Sequence, residues 1–162
     1  YCKRAMAAGY RLCIAHDAFV FHFGSRTFAG LGISGDVFNE SIYRNEQIFL
    51  DKWRGVSLDL NAQARAALDR ADSREAVRLL LEAINIFPML EVNFNDLGAV
   101  LWELNERGRA FDMFTRALCV NPDSPDALQN LRAAGEALGR AADVDNILRE
   151  LEKSRNGVQQ HD

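Results

Sequence analysis

The feature that most limits what this 162-residue chain can become is a spacing of 34 residues that begins at Ser57. It is clearest between Glu91 and Ser124, where Phe94, Leu97, Gly98, Leu101, Ala110, Phe114 and Ala117 are apolar or small and Pro122 closes the stretch. One period earlier stand Leu60, Ala64, Ala67, Ala76, Leu80, Ala83 and Pro88. One period later Leu128 and Leu131 keep the pattern, but Arg132 replaces the small residue and the second half of the unit is displaced. A period of this length is one supersecondary unit repeated. Within each unit the apolar positions recur at helical spacing, which predicts two antiparallel helices. Small residues at Gly98, Ala110 and Ala117 let the two helices approach closely, and the large ones fill the gap between them. Each pair buries its apolar face only against the next pair, so a terminal unit must be polar outside. Residues 140–155, with Arg149, Glu150, Glu152 and Lys153, are predicted to be that cap, and 156–162 to fray.

The residue types at this spacing closely resemble the tetratricopeptide (TPR) repeat, in copies 57–90, 91–124 and a degenerate, capping 125–158, with 159–162 as a tail. That resemblance implies a surface for extended peptides or partner helices, along the concave face lined by the first helix of each pair. Asn61, Asn95 and Gln129 fall one period apart on that helix. Carboxamides both donate and accept, so a ladder of three could hold a peptide backbone without reading its sequence. The competing reading makes them ordinary polar residues near helix starts. The same face carries Arg65, Asp96, Trp102 and Glu136, without the lysine and arginine cluster that captures a C-terminal carboxylate in chaperone-binding relatives. Chaperone docking is therefore not expected.

Residues 1–56 have a different character. They carry seven Lys/Arg against five Asp/Glu, a net charge of +2, which leaves −6 on the rest of a chain whose total is −4. A slightly basic head and an acidic tail suggest two functional parts. The overall acidity argues against general nucleic-acid binding, which rests on basic surface meeting phosphates. Cys2, Cys13 and Cys119 form no CxxC pair and are odd in number, so they are read as reduced core residues in a cytoplasmic protein. No apolar run approaches the length of a membrane span.

In the head, Gly9 suits the left-handed position after a helix over Tyr1 to Ala8. Residues 11–23, rich in Val, Ile and Phe with a polar break at His16 and Asp17, predict short strands, and the glycines of 29–35 predict a loop. A helix then starts near Asp36 or Asn39, with Val37, Ile42, Ile48, Phe49 and Trp53 at helical spacing, and is expected to stop at Gly55. Tyr1 in first position, inside a helical pattern with no start signal, suggests a fragment of a longer chain.

Arg4, Gly9-Tyr10-Arg11, Asp17-Ala18-Phe19-Val20, His22, Gly24-Ser25, Thr27, Asn45, Phe49 and Lys52-Trp53 come in an order that resembles the C-terminal end of the catalytic domain in bacterial family 2 glycosyltransferases. Those enzymes are of the nucleotide-sugar-dependent GT-A type. The resemblance covers residues 1–53 and implies a fold that is mainly α, a TPR helical-hairpin array preceded by a small α/β remnant over 1–56. It further implies that His22 matches the residue closing the nucleotide site, as a ligand of Mn²⁺ or Mg²⁺ or a contact to the diphosphate, with Ser25 and Arg26 assisting by hydrogen bond and charge. Read without the family, a lone histidine after an apolar run such as His22 is more simply a hydrogen-bonded strand-end residue. The acidic pair that supplies the base in that family and its DxD motif are not within this sequence, so the expected chain is the C-terminal part of a transferase, inactive alone. Its repeats would bind a protein acceptor or partner. The alternative is a stand-alone TPR interaction module.

Overall fold

The structure, a computed structural model, describes residues 8–9 and 35–158. Among the described residues there are six helices and no strand: α1 (Gly35–Asp69), α2 (Ser73–Ile86), α3 (Glu91–Glu103), α4 (Arg107–Val120), α5 (Pro125–Ala137) and α6 (Ala141–Val158). The strands expected over 11–23 lie outside the described residues. Gly9 has φ 82°, the left-handed backbone that glycine adopts without strain. The chain divides into two compact units, Tyr1–Lys52 and Trp53–Asp162. No described helix is long and apolar enough to cross a membrane.

The helix expected to stop at Gly55 does not stop there. α1 runs through it to Asp69. A glycine inside a helix costs only about 1 kcal/mol against alanine, and the turns after it bury Ser57, Ala64 and Ala67 completely, which outweighs that cost. A Cβ built on Gly55 meets nothing within 4 Å. Gly55→Ala is therefore expected to stabilise the protein by about 0.5–1 kcal/mol. A urea midpoint that fails to rise would contradict a continuous α1.

In the second unit the helix starts repeat with the period read from the sequence. α2, α4 and α6 begin at 73, 107 and 141, and α3 and α5 at 91 and 125. From α2 onward consecutive helices pack as antiparallel pairs, α3 also packs on α5, and α4 on α6. The turns inside each hairpin repeat too. Ala71, Asn105 and Gly139 all have positive φ, at 59°, 62° and 66°. Each is followed by an amide that reaches back to the helix it leaves: Asp72 to Ala67, Glu106 to Leu101 and Arg140 to Gly135, at 2.9, 2.9 and 2.7 Å. These are Schellman closures, which satisfy carbonyls that a helix end would otherwise leave unpaired. Glycine suits the left-handed site, asparagine tolerates it, and alanine bears a steric cost there.

The third hairpin is a correction to the sequence reading, which displaces its second helix. α6 begins one full period after α4. The small residue lost at Arg132 is supplied one turn later by Gly135, where an added Cβ would collide with Val144 Cγ2. Close approach is kept by moving the glycine rather than the helix. The end expected to fray stays helical to Val158, and the outer face of α6 is tied by Lys153–Glu150 at 2.7 Å and Arg155–Asp123 at 3.1 Å. The Lys153 hydrogen bond holds the Glu150 carboxyl below its ordinary value. Cys119, expected in the core, is exposed.

One core runs the length of the array, from Ala64, Ala67 and Leu80 through Leu97, Leu101, Phe111 and Phe114 to Leu131 and Val144. Fully buried polar side chains meet within it near the start of the array. Ser57 Oγ, fully buried, donates to the Ala83 carbonyl at 2.9 Å and accepts from Asn93 Nδ2 at 2.8 Å. That relay joins α1, α2 and α3 and fixes their register. Asn93 Oδ1 is buried and has no partner among the described residues.

Candidate functional site

The first helix of each hairpin, residues 57–69 of α1 and then α3 and α5, lines one face of the array. At one register along it stand Arg65, Ala99 and Ala133, each 34 residues after the last. In the first hairpin this position holds a long cationic side chain. In the next two it is cut back to a methyl group, which opens the face between the helices.

Polar bonds bridge neighbouring helices here, also at repeat spacing. Asn61 Nδ2 donates to Asp96 Oδ2 at 2.9 Å, and the Arg65 guanidinium reaches the same oxygen from Nε at 3.0 Å and from its terminal nitrogen at 2.9 Å. One period on, Asn130 Nδ2 donates to Asn95 Oδ1 at 2.9 Å. Of the amides expected to form a ladder, Asn61 is buried, Asn95 half-buried and Gln129 exposed. Asn61 and Asn95 each spend one polar atom on the neighbouring helix, while Gln129 makes no hydrogen bond among the described residues. Sequence reasoning missed the partners, Asp96 and Asn130, although both lie one residue past the ladder positions. His22, Ser25 and Arg26 lie outside the described residues, and among the described residues no cluster of His, Cys, Asp or Glu could hold a metal ion.

Two pockets adjoin on this face. The first, about 160 Å³, lies where α1 meets α3, over Ala64, Leu68, Val100 and Ala99, with Arg65, Asp96 and Glu103 at its polar edge. The second, about 220 Å³, lies between α3 and α5, over Ala99, Ala133, Phe114 and Trp102, with Asn130 and Glu103 as its polar groups. Ala99 and Glu103 belong to both, so the pockets form one groove that crosses α3. Arg107 lies over the Trp102 ring, 5.3 Å from its centre, within cation–π range. Glu103 is exposed and has no ion-pair partner among the described residues.

Paired antiparallel helices at a 34-residue period, closed by repeated left-handed turns and hollowed along the first-helix face, define a tetratricopeptide-type array. No family model matches the chain, and no curated protein does. Solved structures do match in fold. One is the second TPR of Spaghetti (RPAP3) bound to an HSP90 peptide, with a TM-score of 0.53, 9% identity, and coverage of 60% of this chain and 91% of that one. Another is MamA, with a TM-score of 0.53, 15% identity, and coverage of 85% and 77%. A third is the TPR2AB domain of yeast Sti1 in complex with pHSP90, with a TM-score of 0.53, 14% identity, and coverage of 82% and 54%. At such identities the likeness is one of fold. It carries the repeat reading and says nothing of a glycosyltransferase.

Proposed function

We propose that the array is a protein-interaction module that holds an extended peptide segment of a partner in the groove crossing α3. The groove itself carries this reading: two adjoining pockets with apolar floors and polar edges, opened by Ala99 and Ala133 where Arg65 fills the corresponding place. The RPAP3 neighbour was solved with an HSP90 peptide and the Sti1 neighbour in complex with pHSP90, which supports peptide binding as a use of this fold. In this reading Asn95 and Gln129 are rungs that meet the peptide backbone. Asn61 contributes by holding Asp96 in place.

Selection of random peptides on the full chain tests this. Ala99→Arg fills the groove with a side chain of its own from an exposed position, so the fold should persist. Peptides selected on the unaltered protein are expected to bind the variant about tenfold more weakly, equivalent to about 1.4 kcal/mol. Equal binding to both proteins would remove the groove from the account.

A second reading rests on the resemblance of residues 1–53 to the end of a family 2 glycosyltransferase. There the array positions an acceptor protein beside a nucleotide-sugar site to which His22, Ser25 and Arg26 contribute, with a divalent metal. The encoding gene decides it. An acidic pair shortly before Tyr1 and a DxD motif further upstream would support the reading, and their absence would end it.

A further inference from the structure

We infer that the groove takes a basic segment, an extended stretch of a partner whose arginine or lysine side chain lies over Ala99 and Ala133 and ends on the Glu103 carboxylate. The inference rests on the peptide-binding reading and names the partner's chemistry.

The chain contains its own precedent. Arg65 lies at the register of Ala99 and Ala133 and points its guanidinium at Asp96 on the neighbouring first helix, at 2.9 Å. One period on, Ala99 stands in place of Arg65 and Asn130 in place of Asp96, and the space that such a side chain would fill is the open pocket between α3 and α5. A guest side chain from a partner fills that space as Arg65 fills its own, with Glu103 rather than the Asp96 position supplying the carboxylate.

The lining suits such a guest. Ala99, Ala133, Phe114 and Trp102 present apolar surface to an aliphatic stem, and the polar groups, Asn130 and Glu103, offer oxygen atoms to a cationic head. Long basic side chains bind in this divided way, with the stem on apolar surface and the charge at its edge. Trp102 already carries a guanidinium over its ring, that of Arg107.

The charge balance points the same way. Asp96 is taken up by Asn61 and Arg65. Glu103 borders both pockets and is unpaired among the described residues, so the groove offers one uncompensated carboxylate. A peptide ending in acidic residues would meet that charge; among the described residues the one arginine that lines the pockets is bound to Asp96, and Arg107 beside them lies over the Trp102 ring.

Heteronuclear NMR titration of the ¹⁵N-labelled full chain reads even weak binding, so it suits short probes. Three capped nine-residue alanine-rich peptides are compared, with arginine, citrulline or glutamate at three alternate positions. The arginine peptide should shift the amides of Ala99, Glu103 and Ala133. Its affinity should fall about three- to fivefold with citrulline in its place or with Glu103→Gln, the scale of an exposed ion pair, and more with glutamate. Equal affinity for arginine and citrulline peptides, or tighter binding of the glutamate peptide, overturns the inference. If the arginine peptide leaves the groove amides unmoved while a library-selected peptide shifts them, the basic partner falls and the groove stands. If neither shifts them, both fall.

Discussion

Replacing Phe111 with alanine is expected to cost about 3–5 kcal/mol, the usual range for truncating a buried aromatic residue. Phe111 is among the largest fully buried side chains, at 1% exposure. It lies where the second hairpin meets the third: its Cε2 is 3.7 Å from the Cβ position of Gly135, and the Arg140 guanidinium lies over its ring at 3.9 Å. The loss should therefore be uneven along the array. In a solenoid, each repeat is stabilised largely by its interface with the next. Hydrogen exchange in Phe111→Ala should show α5 and α6 opening before α3. A loss below about 1 kcal/mol, or uniform weakening of all helices, would contradict the role given to this side chain.

The second large effect is expected at Gly98. An added Cβ there would stand 2.5 Å from Phe114 Cε1 and 2.7 Å from Cδ1, and Phe114 is itself buried at 3% exposure. The ring has nowhere to withdraw without disturbing the contact between α3 and α4. Gly98→Val should destabilise by about 2–3 kcal/mol through overpacking. Gly108→Ala, where a Cβ meets nothing within 4 Å, should cost nothing. Adding Phe114→Leu to Gly98→Val should recover part of the loss, because residues in contact do not act additively. Independent, additive losses in a chemical-denaturation cycle would show that the two do not press on each other.

The contrast between Phe111 and Phe114 shows how far the sequence reaches. Phe114, Gly98 and Ala117 recur at the repeat spacing, and their packing was legible from that alone. Phe111 belongs to no repeated position, since Val77 and Asp145 stand one period to either side. Its burial follows from how one hairpin meets the next, which the period does not encode. Gly135 is a similar case: the pattern marks Arg132 as a defect, and only the approach of Val144 shows where the close contact went. Gly55 misleads in the other direction. A local breaker worth about 1 kcal/mol gives way to the burial of the residues that follow it. In the groove, the ladder positions could be read from spacing, but spacing does not reveal which amides are spent on a neighbouring helix. Glu103 has an acidic counterpart in Asp69, one period earlier, but none in Ala137, one period later, so spacing alone does not mark it out. It matters because two pockets meet beside it.

An amide chemical-shift map of the labelled full chain with a peptide selected from a random library tests the groove as the binding site. The largest shifts are expected along the groove, at Asp96, Ala99, Glu103, Asn130 and Ala133, and should be lost in Ala99→Arg. Shifts concentrated on the second helices α2, α4 and α6, with the groove amides unmoved, would contradict it.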